Sequence, residues 1–171
     1  RDNKYGLINV HLYRPFSTKY LLDVLPNTVK NIAVLDRTKE FGGVGEPLYL
    51  DVVSSLKDKG INIVGGRYGL SSKNTTPNMI KAVYEMLETK PINNFTIGIE
   101  DDLYNTSLII DESYRIDSNY KSVKIYGFGS DGMVSASKDI MHLIGEDNKY
   151  VQGYFEYDSK KSGGVTISHL R

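Results

Sequence analysis

Four short apolar runs, at residues 5–13, 31–35, 61–64 and 95–99, alternate with three segments whose apolar residues recur at helical spacing. A series of this kind closes into a sheet by right-handed crossovers, which make neighbouring strands parallel and put helices on both faces. The fold class it predicts for residues 1–102 is α/β: a parallel-sheet, three-layer domain. Each boundary has a local cause. Leu7, Ile8, Val10 and Leu12 mark the first run, and Pro15 stops it, because proline lacks a ladder donor and restricts the residue before it. Ser17 or Thr18 can cap a short helix that shows Leu21, Leu22 and Leu25 on one side and ends at Pro26-Asn27. Asn31-Ile32-Ala33-Val34-Leu35 is apolar without alternation, as in a strand buried on both faces. Pro47 and Pro77 each suit a first helical position. The helix after Pro47 has Leu48, Val52, Val53 and Leu56 as its buried face; the one after Pro77 has Met79, Ile80, Val83, Met86 and Leu87.

Two glycine-rich loops stand at strand ends, where open α/β sheets dock ligands or partners. One is the charged stretch from Asp36 to Pro47; the other is Gly65-Gly66-Arg67-Tyr68-Gly69. The first is open to two readings, an anion-binding or docking loop and a loop held by ion pairs among Asp36, Arg37, Lys39 and Glu40. The second of these is the preferred one. Glu100-Asp101-Asp102 could attract magnesium, but adjacent carboxylates at a strand end read first as a solvated loop. No Ser-His-Asp grouping and no carboxylate pair suited to acid–base work occurs in this part, so no catalytic residue is assigned.

Residues 103–121 lose periodicity and read as a connector. Residues 122–171 then begin with a short strand, 123–126, running into Gly127-Phe128-Gly129-Ser130-Asp131-Gly132. A strand, a G-x-G-x-x-G turn and a helix start make a place where unpaired amides face a phosphate. Here Gly127 permits the tight turn, Gly129 lets backbone approach a ligand, and Gly132 allows close helix–strand packing. The helix begins near Ser130, buries Met133, Ala136, Ile140, Leu143 and Ile144, and stops at Gly145. Residues 150–157 form the next strand, with Asp158 placed to hold a ribose. Lys160, Lys161 and Ser162 follow, ahead of Gly163-Gly164, and suit an additional ribose phosphate of the kind found in NADP and in coenzyme A. A structural turn and a solvated basic loop are the bland readings of the same residues. This stretch holds one βαβ unit and a last strand at 165–170, the incomplete start of a Rossmann-like domain.

Lys plus Arg total 21 and Asp plus Glu total 21, so no excess charge draws the chain to nucleic acid or to a membrane surface. There is no cysteine, which removes thiolate metal sites from this stretch and fits a cytoplasmic setting. The three histidines are far apart without metal-ligand spacing, so no metal ligand is assigned. No apolar run nears the roughly 20 residues that span a bilayer. The opening Arg1-Asp2-Asn3, without methionine, reads as a cut or processed start.

Taken in order, Leu12-Tyr13-Arg14-Pro15-Phe16, Asp36-Arg37-Thr38-Lys39-Glu40 with Gly45-Glu46-Pro47-Leu48-Tyr49, Gly65 to Leu70, Gly127 to Gly132, and Tyr157 to Gly164 resemble the pyruvate:ferredoxin (flavodoxin) oxidoreductase family. The resemblance covers essentially the whole chain. Phe41 stands where proline is usual in the family, and Met133 where threonine is usual. What the resemblance implies is larger than this chain: oxidative decarboxylation of pyruvate on thiamine diphosphate with Mg2+, electron transfer through [4Fe-4S] clusters to ferredoxin or flavodoxin, and acetyl transfer to coenzyme A. It implies an internal fragment of a homodimeric enzyme whose remaining domains carry the thiamine and cluster sites. Residues 1–102 are similar to the transketolase C-terminal-like domain and 122–171 to the start of the coenzyme A-associated domain. Gly127, Gly129, Ser130, Asp131, Gly132, Lys160, Lys161 and Ser162 would then contribute a partial coenzyme A site. A noncatalytic NADP-binding or redox-partner module, and plain scaffold, are the alternatives.

Overall fold

The Ser17 hydroxyl accepts from the Tyr20 amide at 3.4 Å and starts helix α1 (Thr18–Val24). Pro47 and Pro77 stand in the first turns of α2 (Pro47–Leu56) and α3 (Pro77–Thr89), where a missing amide hydrogen costs nothing. The computed structural model describes residues 4–70, 73–99, 103–116, 119–147, 149–158 and 163–171, and divides into two units, Arg1–Ile116 and Asp117–Arg171. Among the described residues no helix is long and apolar enough to cross a membrane.

The first unit carries a parallel sheet in the order β1 (Asn31–Asp36), β2 (Asn62–Arg67), β3 (Phe95–Thr96). Its register runs from Asn31 opposite Asn62 to Asp36 opposite Arg67. Val83 and Met86 of α3 pack with Val64, Phe95 and Ile97 on one face. Leu21 of α1 and Val52 and Leu56 of α2 pack with Val34 on the other, so the sheet lies between two helical layers. The strand β2 owes its place to two glycines. A Cβ on Gly66 would run into the ring of the fully buried Phe95, and one on Gly65 would lie 2.8 Å from the Tyr49 ring.

Two expectations for this unit change. Residues 5–13 form no strand: Leu7 is 85% and Leu12 71% exposed, and the segment is held by the Tyr84 hydroxyl, which donates to the Gly6 carbonyl at 3.2 Å, and by the Tyr5–Tyr84 ring contact. Apolar content marks strand potential, but a strand exists only where a backbone partner completes its ladder. β1 accordingly ends the sheet on that side. β3 is two residues rather than five, because Gly98 at φ +75° turns the chain away. Residues 103–116 pack within this unit. The Thr96 amide donates to Thr106 and the Leu108 amide donates back to Thr96, at 3.0 and 2.9 Å, and Leu108 joins the α3-side core.

The second unit comprises β4 (Val123–Phe128), α4 (Met133–Glu146), β5 (Gly153–Tyr157) and β6 (Val165–Leu170). A Rossmann-like start expects parallel neighbours, whereas β6 lies between β4 and β5 and is antiparallel to both. The connection from Asp158 to Gly164 is too short for a crossover, so β5 and β6 pair as a hairpin.

The helix α4 begins at Met133 rather than near Ser130, and it turns a different face to the sheet from the one its apolar residues suggest. Ser137 is fully buried, with its hydroxyl donating to the Met133 carbonyl at 2.8 Å, while Ile140, Leu143 and Ile144 stay 40% or more exposed. The inward stripe is Met133, Ser137 and Met141. The bare glycines opposite make room for it: a Cβ on Gly127 would lie 2.7 Å from the Met133 Cβ, and one on Gly153 would lie 2.5 Å from the Met141 sulfur. Unbranched, flexible methionines fill the space over the two glycines.

Candidate functional site

The β4–α4 turn and the β5–β6 connection emerge at the same end of the second sheet. Register sets this, since Phe128, the last residue of β4, pairs with Val165, the first of β6, and Tyr157, the last of β5, pairs with Thr166. Among the described residues, a hydrogen bond joins the two loops: the Gly129 amide donates to the Gly164 carbonyl at 2.7 Å. The Asp158 amide donates to the Val165 carbonyl at 3.2 Å and closes the hairpin base. Lys160, Lys161 and Ser162 lie outside the described residues; their place in the chain is between these two anchored ends.

Within the turn, the Asp131 carboxylate accepts from the Phe128 amide at 2.6 Å and from the Met133 amide at 2.9 Å. The Asp131 amide donates to the Phe128 carbonyl at 3.1 Å. An aspartate therefore sits against amides that a phosphate would otherwise take, and it supplies the negative charge that a helix start favours. Gly127 is bare because a Cβ there would come within 2.7 Å of that carboxylate. Ser130 and Gly132 both hold positive φ, +71° and +84°, and Gly132 is the N-cap of α4. The expectation of open backbone donors thus changes at three amides, Phe128, Gly129 and Met133, which are engaged inside the turn and its neighbour strand.

Two further groups lay beyond sequence reasoning. On the same sheet, the His169 ring stacks on Tyr154 at 4.2 Å with 6° between planes. Its Nε2 is 2.6 Å from Glu156 Oε1 but out of line for a hydrogen bond. Burial, then the Glu156 charge, raises the Tyr154 hydroxyl pKa above its ordinary value. Alternation along residues 154–157 puts Tyr154 and Glu156 on one face, but the register that brings in His169 has no local sequence signal.

In the first unit, buried Arg67 donates Nη1 to buried Glu46 at 3.1 Å and Nη2 to the Asn94 carbonyl at 3.1 Å. The loop after β1 is held internally, though not by ion pairs among Asp36, Arg37, Lys39 and Glu40. The Asp36 carboxylate instead accepts from the Leu48 and Tyr49 amides, both at 3.0 Å, and Arg37 Nε donates to the Gly69 carbonyl at 3.1 Å. A buried acid facing the N-terminus of α2 serves the helix better than a solvated pair would. Glu100, Asp101 and Asp102 lie outside the described residues, and among the described residues no group of three His, Cys, Asp or Glu could hold a metal ion.

Residues 122–171 match the family model described as pyruvate ferredoxin/flavodoxin oxidoreductase, and residues 1–80 match that of pyruvate:ferredoxin oxidoreductase core domain II. The pyruvate:ferredoxin oxidoreductase of Moorella thermoacetica is 56% identical, with 100% of this chain and 15% of that protein aligned. The pyruvate-flavodoxin oxidoreductase of Trichormus variabilis is 54% identical over 98% of this chain and 15% of its own. A pyruvate dehydrogenase [NADP(+)] of Cryptosporidium parvum is 48% identical over 99% of this chain and 9% of its own length. The chain thus spans about 15% of the length of the first two relatives. It belongs to the pyruvate:ferredoxin/flavodoxin oxidoreductase family, of whose long members it represents one part.

Proposed function

We propose that the whole protein converts pyruvate and coenzyme A to acetyl-coenzyme A, CO2, a proton and two electrons, with ferredoxin or flavodoxin as the electron acceptor. In that enzyme this region is scaffold plus part of the coenzyme A site. Residues 1–102 act as the transketolase C-terminal-like layer, 103–116 pack onto it before the chain passes to the second unit, and 122–171 form part of the coenzyme A-associated domain. With no cysteine, the region has no thiolate for an iron–sulfur cluster, so cluster ligands belong to other parts of the enzyme; the family resemblance assigns thiamine diphosphate and Mg2+ to other parts as well.

The observation that carries the reading is the Gly129–Gly164 bond, which puts the glycine turn beside the loop bearing Lys160 and Lys161. Coenzyme A presents a diphosphate and a ribose phosphate, and two ammonium groups with the Ser162 hydroxyl match that chemistry. Gly127, Gly129, Ser130, Asp131 and Gly132 then work chiefly by shape: the turn anchors, at Gly164, one end of the segment that carries the lysines in sequence. Each lysine contributes on the order of 1 kcal/mol at a partly exposed site. When bound, coenzyme A supplies the thiol that takes the acetyl group; the residues here bind and orient its phosphates.

The test is equilibrium binding of coenzyme A, and of NADP as competitor, to the full-length enzyme and to its Lys160→Ala/Lys161→Ala variant. Coenzyme A binding weakened by the variant, with NADP unable to compete, is the expected result. NADP binding at the same lysines in place of coenzyme A would favour the nucleotide-module reading, and unchanged coenzyme A binding would leave scaffold alone.

A further inference from the structure

In the second unit β4 and β5 are both antiparallel to β6, so they run parallel to each other, with α4 as the crossover between them. A sheet built on such a crossover carries helices on both faces. Among the described residues only one face has its helix. Register assigns the two sides. Gly127 and Gly153 lie under the α4 methionines, so the residues that alternate with them, Tyr126 and Phe128 of β4 and Tyr154 of β5, belong to the opposite face. Val165, Ile167 and His169 of β6 lie between them, each paired across the sheet with a residue of that face.

That second face is apolar and open. Tyr126 is 63%, Phe128 68% and Val165 48% exposed. A face meant for water would alternate to polar residues at these positions, whereas β4 and β6 stay apolar there, as in strands covered on both sides. His169 stands toward the other end of the same face. It is 8% exposed, and its Nε2 has no hydrogen-bond partner among the described residues. A buried polar nitrogen is normally satisfied in a finished structure. The face therefore calls for an apolar cover with one polar contact at its border.

We infer that an amphipathic helix from another part of the same full-length polypeptide covers this face. Its apolar stripe lies across Tyr126, Ile167 and Val165, and a hydrogen-bonding side chain of the helix meets His169. Contiguous exposed apolar residues with a polar rim mark contacts of this kind. The same polypeptide is the source because this chain spans only 15% of the length of a relative that aligns with all of it, so most of the molecule is available to supply the layer. None of these residues is among the proposed coenzyme A contacts, so the two readings stand or fall separately.

The experiment is photocrosslinking in the full-length enzyme carrying Tyr126→p-benzoylphenylalanine, with the captured peptides identified by mass spectrometry. The expected product keeps the mass of one polypeptide on a denaturing gel. Its captured peptide lies outside residues 1–171 and has apolar residues at three- and four-residue spacing. Phe128→p-benzoylphenylalanine, two positions along the same face, repeats the measurement if the first variant fails to fold. Tyr150, wholly exposed and outside the strands, takes the same probe as the control. Crosslinks confined to residues 1–171, a product of doubled mass, no crosslink at all, or the same peptide captured equally from Tyr150 would each overturn the inference.

Discussion

The Gly129 amide donates to the Gly164 carbonyl at 2.7 Å, and that bond ties the end of β4 to the loop containing Lys160 and Lys161. Neither residue has a side chain to offer, so the tie depends on backbone shape. Asp131 sets that shape by accepting from the amides on either side of the turn.

Asp131→Ala removes both acceptors and leaves two amides to solvent or to nothing. The expected loss is about 1–3 kcal/mol in urea unfolding of the second unit, with faster hydrogen exchange at the Gly129 amide. Asp131→Asn keeps one acceptor and should lose less. Unchanged exchange at Gly129 in Asp131→Ala would show that the turn holds itself without the carboxylate.

Gly66 is opposite Phe95 in the parallel ladder, and the Phe95 ring occupies the space a side chain would need. Gly66→Ala should destabilise the first unit by about 1–3 kcal/mol through overpacking. Phe95→Leu in the same chain should return part of that loss, because the two positions are coupled. Additive losses in thermal unfolding would mean the ring yields without help.

Arg67 and Glu46 form a buried pair, whereas Lys39 reaches the same carboxylate from the surface at 3.8 Å. Glu46→Gln leaves a buried guanidinium short of its counter-charge and should cost about 3–5 kcal/mol, whereas Lys39→Ala should stay within about 0.5 kcal/mol of the parent. Equal costs in denaturant unfolding would contradict this division of roles.

Burial raises the Asp36 pKa from its ordinary 3.8; the Leu48 and Tyr49 amides pull it down, and nearby Glu46 and Asp51 add to the rise. The folded chain therefore holds this proton more tightly than the unfolded chain. The stabilisation is full below the unfolded value and is lost as pH climbs through the folded one. Measured against Asp36→Asn, the parent should gain stability as pH falls from 7 toward 4. A flat difference, or one that shrinks on acidification, would reverse the assignment.

Much of the first unit was legible because its boundaries rest on local chemistry. Ser17, Pro47 and Pro77 start helices for reasons confined to one turn, and residues 31–35 are apolar enough to announce a buried strand. What escaped depends on partners distant in sequence. Residues 5–13 have the composition of a strand but no backbone beside them, and α4 turns Ser137 inward because Gly127 and Gly153 leave room for methionines. The glycine turn was found where expected, yet the identity of its anion was not. A carboxylate three residues downstream of Phe128 caps the amides, and only the fold brings it there. The Arg67–Glu46 pair joins a strand end to a helix start 21 residues apart, without any motif to mark it.

The most direct test of the central claim is the Michaelis constant for coenzyme A in the full-length enzyme carrying Lys160→Ala with Lys161→Ala, alongside that for pyruvate. Two contributions of about 1 kcal/mol each predict a rise of roughly thirtyfold for coenzyme A with the pyruvate constant unchanged. An unchanged coenzyme A constant, or an equal rise in both, would contradict the account.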